Sequence, residues 1–162
     1  MSYLSFFEWL QQTPISVGIR ESTLLFPVLE GTHVLALALS VGTIVALDLR
    51  LVGWGMRKTP VSTIFEQLRP WSLLGFGLMF LTGILLFWSE PVKCATTGSF
   101  IVKMILMVFA GVNALFFDRT VYPTVGNWDT AVLVPGRARM SGAVSLFLWF
   151  GVIFCGRWTA YF

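Results

Sequence analysis

The sequence predicts an all-α integral membrane protein: a four-helix bundle with up-down-up-down topology and a short N-terminal interfacial helix. Of its 162 residues, 56% are hydrophobic and only 12% are charged, whereas roughly a quarter of the residues in a soluble domain are charged. Four apolar stretches approach or exceed the roughly 20 residues with which a helix crosses a bilayer. These spans lie at about residues 24–47, 71–89, 100–117 and 141–162.

The spans are expected to be helices rather than strands of a barrel. Lipid offers no hydrogen-bond partners to the backbone, so only helices and closed barrels cross a membrane. Runs such as LLGFGLMFLTGILLF lack the alternation that a barrel strand requires. Short outward connections make neighbouring helices antiparallel. At this length we expect residues 1–162 to form a single membrane domain without a separate soluble domain.

Residues 1–21 are expected to form the interfacial helix and a linker that contact membrane lipid. In the segment SYLSFFEWLQQ, large apolar side chains recur at the spacing i, i+3, i+4 and i+7, which places them on one face of a helix. They are Tyr3, Phe6, Phe7 and Leu10. A signal peptide is not expected, because the first apolar run follows Arg20 and Glu21 and precedes no small-residue cleavage site.

The distribution of lysine and arginine predicts the orientation in the membrane. Seven of these residues lie in the predicted loops 48–70 and 118–140, and three lie on the opposite side. Since positive charge is retained in the cytoplasm, we expect a bacterial inner-membrane protein with both termini in the periplasm. The basic residues are scattered among loops, so a nucleic-acid partner is not expected.

Two cysteines, Cys94 and Cys155, fall near the outward side of this topology. The periplasm permits disulfides, and free cysteines are also common in membrane helices. The sequence leaves both alternatives open, because the geometry of the pair cannot be read from it.

Three ionisable residues within spans are candidates for function, since such residues normally face a bundle interior or a cavity. They are Glu30, Lys103 and His33, the only histidine of the chain. Glu30 and His33 are three residues apart and share a helix face. The small residues Ala36, Ser40 and Thr43 continue this stripe, which leaves space for another helix or for a flat cofactor. The alternative is a packed histidine hydrogen-bonded to Glu30.

The third span places Lys103 and Met107 on one face. At 1.5 Å per residue, His33 lies about 14 Å inward from Leu24, and Met107 lies about 10 Å inward from Phe100. Histidine facing methionine or lysine across an apolar gap is similar to the axial ligation of a haem iron. A snorkelling lysine and a packed methionine are the alternatives. One histidine leaves a zinc site short of ligands.

Two segments carry a resemblance to known families. HVLALALSVGTIVALDLRLVG resembles the first helix of the HemJ-type haem-binding protoporphyrinogen oxidases and of the copper-resistance protein D membrane domain, and FIVKMILMVFAGVNALF resembles their third helix. The resemblance implies that His33 is a haem b ligand and that Lys103 is needed for activity. The chain as a whole resembles a group of four-span bacterial membrane proteins.

These observations lead to a haem b-binding membrane protein as the first hypothesis. It would act in electron transfer or in quinol or porphyrin oxidation, as a membrane oxidoreductase with a quinone or redox protein partner. His33 would bind the metal, Lys103 or Met107 would lie opposite, and Arg157 would meet the haem propionates. A proton-coupled transporter using Glu30 and a non-catalytic anchor subunit of a redox complex are the alternatives. We expect a homo-oligomer or a subunit of a membrane complex.

Overall fold

The structure is a computed structural model that describes residues 3–159. This part of the chain contains seven α-helices. Four of them are long and apolar enough to cross a membrane, which confirms the predicted all-α bundle. The helices are α1 (Tyr3–Gln11), α2 (Pro14–Glu21), α3 (Leu25–Val52), α4 (Val61–Ser89), α5 (Pro91–Thr96), α6 (Gly98–Phe116) and α7 (Gly136–Thr159). A π-helical turn, Phe117–Val121, and a 3-10 helix, Tyr122–Asn127, follow α6.

The helices extend beyond the predicted spans at several ends. Helix α4 begins at Val61 rather than near residue 71 and continues through Pro70, because membrane helices tolerate proline where neighbouring groups satisfy the freed backbone. Helix α3 continues to Val52, five residues past its predicted end at residue 47, and Gly53 ends it with a φ of 91°, a left-handed conformation that glycine adopts without strain. Residues 160–162 of the predicted fourth span lie outside the described residues.

The four long helices pack side by side. Helix α3 contacts α4 and α7, and α7 contacts α6. Contacts pair the start of each helix with the end of its neighbour, as between His33 and Thr82 or between Asn113 and Ser141, so the helices run up and down in turn. At the end of the bundle where α3 begins and α7 ends, which is called the outer end below, the hydroxyls of Ser99 and Thr159 lie 2.8 Å apart.

The crossing of α3 and α4 depends on a glycine. A Cβ atom built on Gly75 would lie 2.7 Å from the backbone nitrogen and 2.9 Å from Cβ of Ser40. Ser40 is fully buried, and its hydroxyl donates to the Ala36 carbonyl at 2.8 Å. The stripe of small residues predicted beside His33 therefore accommodates helix α4. A flat cofactor does not occupy that part of the stripe.

The N-terminal segment forms two short helices rather than one, and they dock on the outer end of α4. The Ser16 hydroxyl donates to the carbonyl of Ser89 at 3.2 Å, and the rings of Phe7 and Phe87 meet edge to face. Phe6 on α1 is exposed, as an interfacial position requires. The predicted aromatic face also included Tyr3, whose side chain lies outside the described part of the structure.

The opposite end of the bundle, where α3 ends and α7 begins, is called the inner end below and is organised by a buried arginine. Arg50 has no exposed surface. Its Nε donates to the Thr59 carbonyl at 3.0 Å, and Nη2 reaches the carbonyls of Asp129 and Ala131 at 3.4 Å. Arg50 therefore connects the loop after α3 to the segment that precedes α7.

The carboxylate of Asp129 caps the start of α4. It accepts the backbone N–H of Ser62 at 2.8 Å and its hydroxyl at 2.6 Å. Partial burial opposes ionisation, but these hydrogen bonds and the Arg50 charge outweigh it and hold the pKa of Asp129 below its usual value. The capping contact is thus present at neutral pH, above the pKa of the unfolded residue.

Candidate functional site

The imidazole of His33 lies between α3 and α4 and is half-buried. Its Nδ1 is 2.9 Å from Oγ1 of Thr82. The Thr82 hydroxyl donates its single proton to the Leu78 carbonyl at 2.7 Å, so its oxygen accepts from the ring. In the neutral imidazole, this geometry favours the proton on Nδ1 and the lone pair on Nε2. This is the tautomer in which a histidine binds a metal through Nε2.

Helix α4 approaches His33 closely because the residue after Thr82 is glycine. A Cβ atom at Gly83 would lie 3.2 Å from Cε1 of the imidazole, closer than an ordinary van der Waals contact. Thr82 itself is buried. Together, these two residues of α4 supply the hydrogen bond and the space that fix the orientation of the ring.

The predicted alternative of a hydrogen bond between His33 and Glu30 is wrong, because Thr82 is the partner of the ring. Glu30 is exposed on the surface of the single chain. It therefore does not face the bundle interior, contrary to the prediction that placed it on the functional face of His33.

Lys103 lies on α6, at the same end of the bundle as His33. Its ammonium lies 5.9 Å from the centre of the Phe100 ring, and a Cβ atom at Gly156 of α7 would lie 3.8 Å from Nζ. Within residues 3–159 the ammonium forms no hydrogen bond or ion pair. It is thus a half-buried cation available to an anionic or carbonyl group.

One protein-family model matches nearly the whole chain, including this site. The model of a protein family described as a family of unknown function, DUF6644, matches residues 6–162. The chain belongs to the DUF6644 family. The match includes all four spans and both His33 and Lys103. Comparisons with curated proteins and with solved structures gave no match.

The other predicted site residues of this DUF6644 protein are Met107 and Arg157. Met107 packs against an apolar cluster that includes Val41, Leu148 and Trp149. Arg157 is exposed on α7, next to Gly156. Met107 therefore has a packing role, as the alternative interpretation of this residue predicted.

The two cysteines of the DUF6644 protein are free thiols, so the disulfide that the sequence left open does not form in this structure. Cys94 is partly buried at the outer end, and this burial raises the pKa of its thiol. Cys94 is therefore protonated at neutral pH, which makes it a weak nucleophile and a weak metal ligand. Among the described residues, no group of three or more His, Cys, Asp or Glu side chains is placed to hold a metal ion.

A buried carboxyl in the inner half of this DUF6644 protein was missed by the sequence prediction. Asp48 on α3 is 4% exposed, and it faces the Ser145 hydroxyl of α7. Its Oδ2 has no hydrogen-bond partner in the described part of the chain. The sequence placed Asp48 at the inward end of the first span, where we expected a structural role, and the apolar pattern carries no signal that its carboxyl is buried.

Proposed function

We propose that this protein binds haem b in the membrane, with His33 as an axial ligand, and acts in electron transfer or in quinol or porphyrin oxidation. The observation that supports this proposal is the hydrogen bond from Nδ1 of His33 to Thr82. Because the Thr82 proton is used by the Leu78 carbonyl, the bond leaves Nε2 as a neutral donor nitrogen. Histidines that bind metals are held by such a bond through the second ring nitrogen.

The residues around the imidazole fit a haem in their chemistry. A haem iron needs only one or two protein ligands, so the absence of a larger ligand cluster among the described residues does not oppose it. Helix α4 supports one edge of the ring through Thr82 and Gly83. Helices α4 and α6 stand at the two ends of the row of four, and the stacked rings of Phe87 and Phe100 join them at the outer end. His33 on α3 and Lys103 on α6 lie at this same end of the bundle.

Each of the predicted site residues would have a separate role in haem binding. His33 would hold the iron, and Lys103 would donate hydrogen bonds to a carboxylate or to a quinone oxygen through its free ammonium. Arg157, exposed at the outer end of α7, would meet the propionates, since guanidinium and carboxylate groups form strong paired hydrogen bonds. Bound haem would supply one-electron redox chemistry. Met107 would contribute packing.

The experiment that tests the proposal is the absorption spectrum of the full chain purified in mild detergent from cells supplied with haem precursor. We expect a Soret band that shifts on reduction with dithionite. A folded preparation that stays colourless after incubation with haemin would contradict the proposal.

The location proposed for this activity is a bacterial inner membrane, with both termini in the periplasm. The four spans support a multi-pass protein, and seven lysines and arginines of the inner loops against three on the other side support the orientation. We expect alkaline phosphatase fused to the C-terminus to be active, because this enzyme functions only in the periplasm. An inactive fusion, with an active one at residue 58, would contradict the orientation.

Proton-coupled transport is a second candidate, and one observation favours it: the buried Asp48 carboxyl with an unpartnered oxygen. A carboxyl within a span can exchange a proton for a cation. Glu30, the carrier that the sequence suggested, is exposed on the bundle surface and is less suited to this role.

The two carboxyls can be compared in proteoliposomes with ethidium as a lipophilic cation. If Asp48 carries the proton, Asp48→Asn abolishes ethidium movement driven by a pH gradient, and the matched variant Glu30→Gln retains it. Undiminished movement with Asp48→Asn would contradict this candidate. The further hypotheses of an anchor subunit, a homo-oligomer, and a quinone or redox protein partner remain proposals without a contact that favours one of them.

A further inference from the structure

A small cavity of about 110 Å³ opens at the inner end of the bundle. Its walls come from the end of α3, the loop that follows it, the segment before α7 and the first turn of α7. Two arginines, Arg57 and Arg139, line it, and no carboxylate does. The excess of positive charge in the inner loops accounts for arginines on this side, but not for the convergence of two of them on one cavity.

Both guanidinium groups are available to a ligand. Arg57 is held over the end of α3 because its Nε donates to the carbonyl of Gly53, which leaves its Nη groups free. Arg139 is exposed in the first turn of α7, and its side chain forms no hydrogen bond or ion pair with the described residues. The N-terminal end of α7 adds partial positive charge to the same place.

The apolar rim of the cavity is exposed: Leu133, which lines it, is 80% exposed, and Val132 is 71% exposed. Trp54 and Met140, which follow the lining residues Gly53 and Arg139 in the chain, are 85% and 69% exposed. Exposure of this extent is unfavourable in water but suits the membrane interface, where tryptophan and aliphatic side chains contact lipid below the head groups. The surroundings therefore favour a lipid over a soluble anion.

We propose that this cavity binds the phosphate of an anionic phospholipid, with the acyl chains along the apolar rim. Guanidinium groups match phosphate oxygens in paired hydrogen bonds, and basic pockets on the cytoplasmic side of membrane proteins are suited to anionic head groups. This inference is independent of haem binding at the outer end.

Lipid binding to the full chain in detergent can be measured by native mass spectrometry with phosphatidylglycerol and with phosphatidylcholine of the same chain length. We expect the wild type to prefer phosphatidylglycerol. Each arginine near an anionic head group contributes about fivefold in affinity, so Arg57→Gln with Arg139→Gln should weaken phosphatidylglycerol binding about 25-fold. Arg139→Gln alone should weaken it about fivefold, in a variant that removes no internal hydrogen bond.

The matched control is Lys58→Gln with Arg119→Gln. It removes the same charge from exposed positions at the same end of the bundle that do not line the cavity. We expect this control to change affinity less than twofold. An equal loss in the control, no preference for phosphatidylglycerol, or unchanged binding by the double arginine variant would overturn the proposal. Displacement of the lipid by millimolar inorganic phosphate would show a free-anion site and would overturn it as well.

Discussion

Replacing His33 with alanine is expected to abolish haem binding, with complete loss of the Soret band and of its shift on reduction. His33 is the only histidine in the chain, so the variant has no other imidazole to offer the iron. Lys103 cannot substitute readily, because an ammonium must lose its proton before it binds a metal. The measurement is the ratio of Soret to protein absorbance after haemin titration and gel filtration.

Two further variants make this result specific. Glu30→Gln alters an exposed carboxyl on the same helix and should leave the haem content unchanged. Thr82→Val removes the acceptor for Nδ1 but keeps the imidazole, and we expect haem affinity to fall about tenfold or more, as with other supporting groups of metal-bound histidines. Retention of haem by a folded His33→Ala variant would show that the ligand lies elsewhere.

Gly75→Ala is expected to destabilise the bundle by at least about 2 kcal/mol, the range for overpacking a closely packed contact. The new Cβ would lie 2.7 Å from a backbone nitrogen of α3. Backbone cannot rotate away as the end of a side chain can, so the two helices must separate. Thermal unfolding in detergent, followed by circular dichroism, measures the change.

Gly77→Ala provides the matched control on the same helix. A Cβ atom there meets no other side chain and no neighbouring helix within 4 Å, so we expect a change of less than about 0.5 kcal/mol. Equal stability of the two variants would show that α3 and α4 do not cross at Gly75 and Ser40. The orientation of His33 toward Thr82 would then lose its structural basis as well.

The helical class and the number of spans follow from composition alone, because apolar runs of this length have few other structures available. The boundaries of the helices do not follow from composition. Pro70 suggested a helix start, yet α4 passes through it, since the cost of proline depends on neighbours that the sequence does not specify. The buried position of Arg50 depends on carbonyls of the loop that follows α3 and of the distant segment before α7, which no local pattern indicates.

The candidate site was predictable in part. His33 and Lys103 stand out in the sequence because ionisable residues are costly within spans, and the structure places both at the same end of the bundle. Thr82 could not be identified as the partner of His33, because their contact depends on the register of α3 against α4. That register is set by the close approach of Gly75 to Ser40, a tertiary contact. The prediction that Glu30 faces the bundle interior was wrong for the same reason. Helical spacing shows that two residues share a face of the helix, but it does not show which neighbouring helix covers that face.

The central claim is that Nε2 of His33 carries a free lone pair and binds haem iron. Nitrogen-15 NMR of the protein labelled only at histidine tests this directly, because a single histidine gives one pair of ring signals. In the haem-free protein, we expect Nδ1 to be protonated and Nε2 to be unprotonated. When haemin is added, we expect the bound iron to abolish the signal of Nε2. A protonated Nε2, or a spectrum that haemin leaves unchanged, would contradict it.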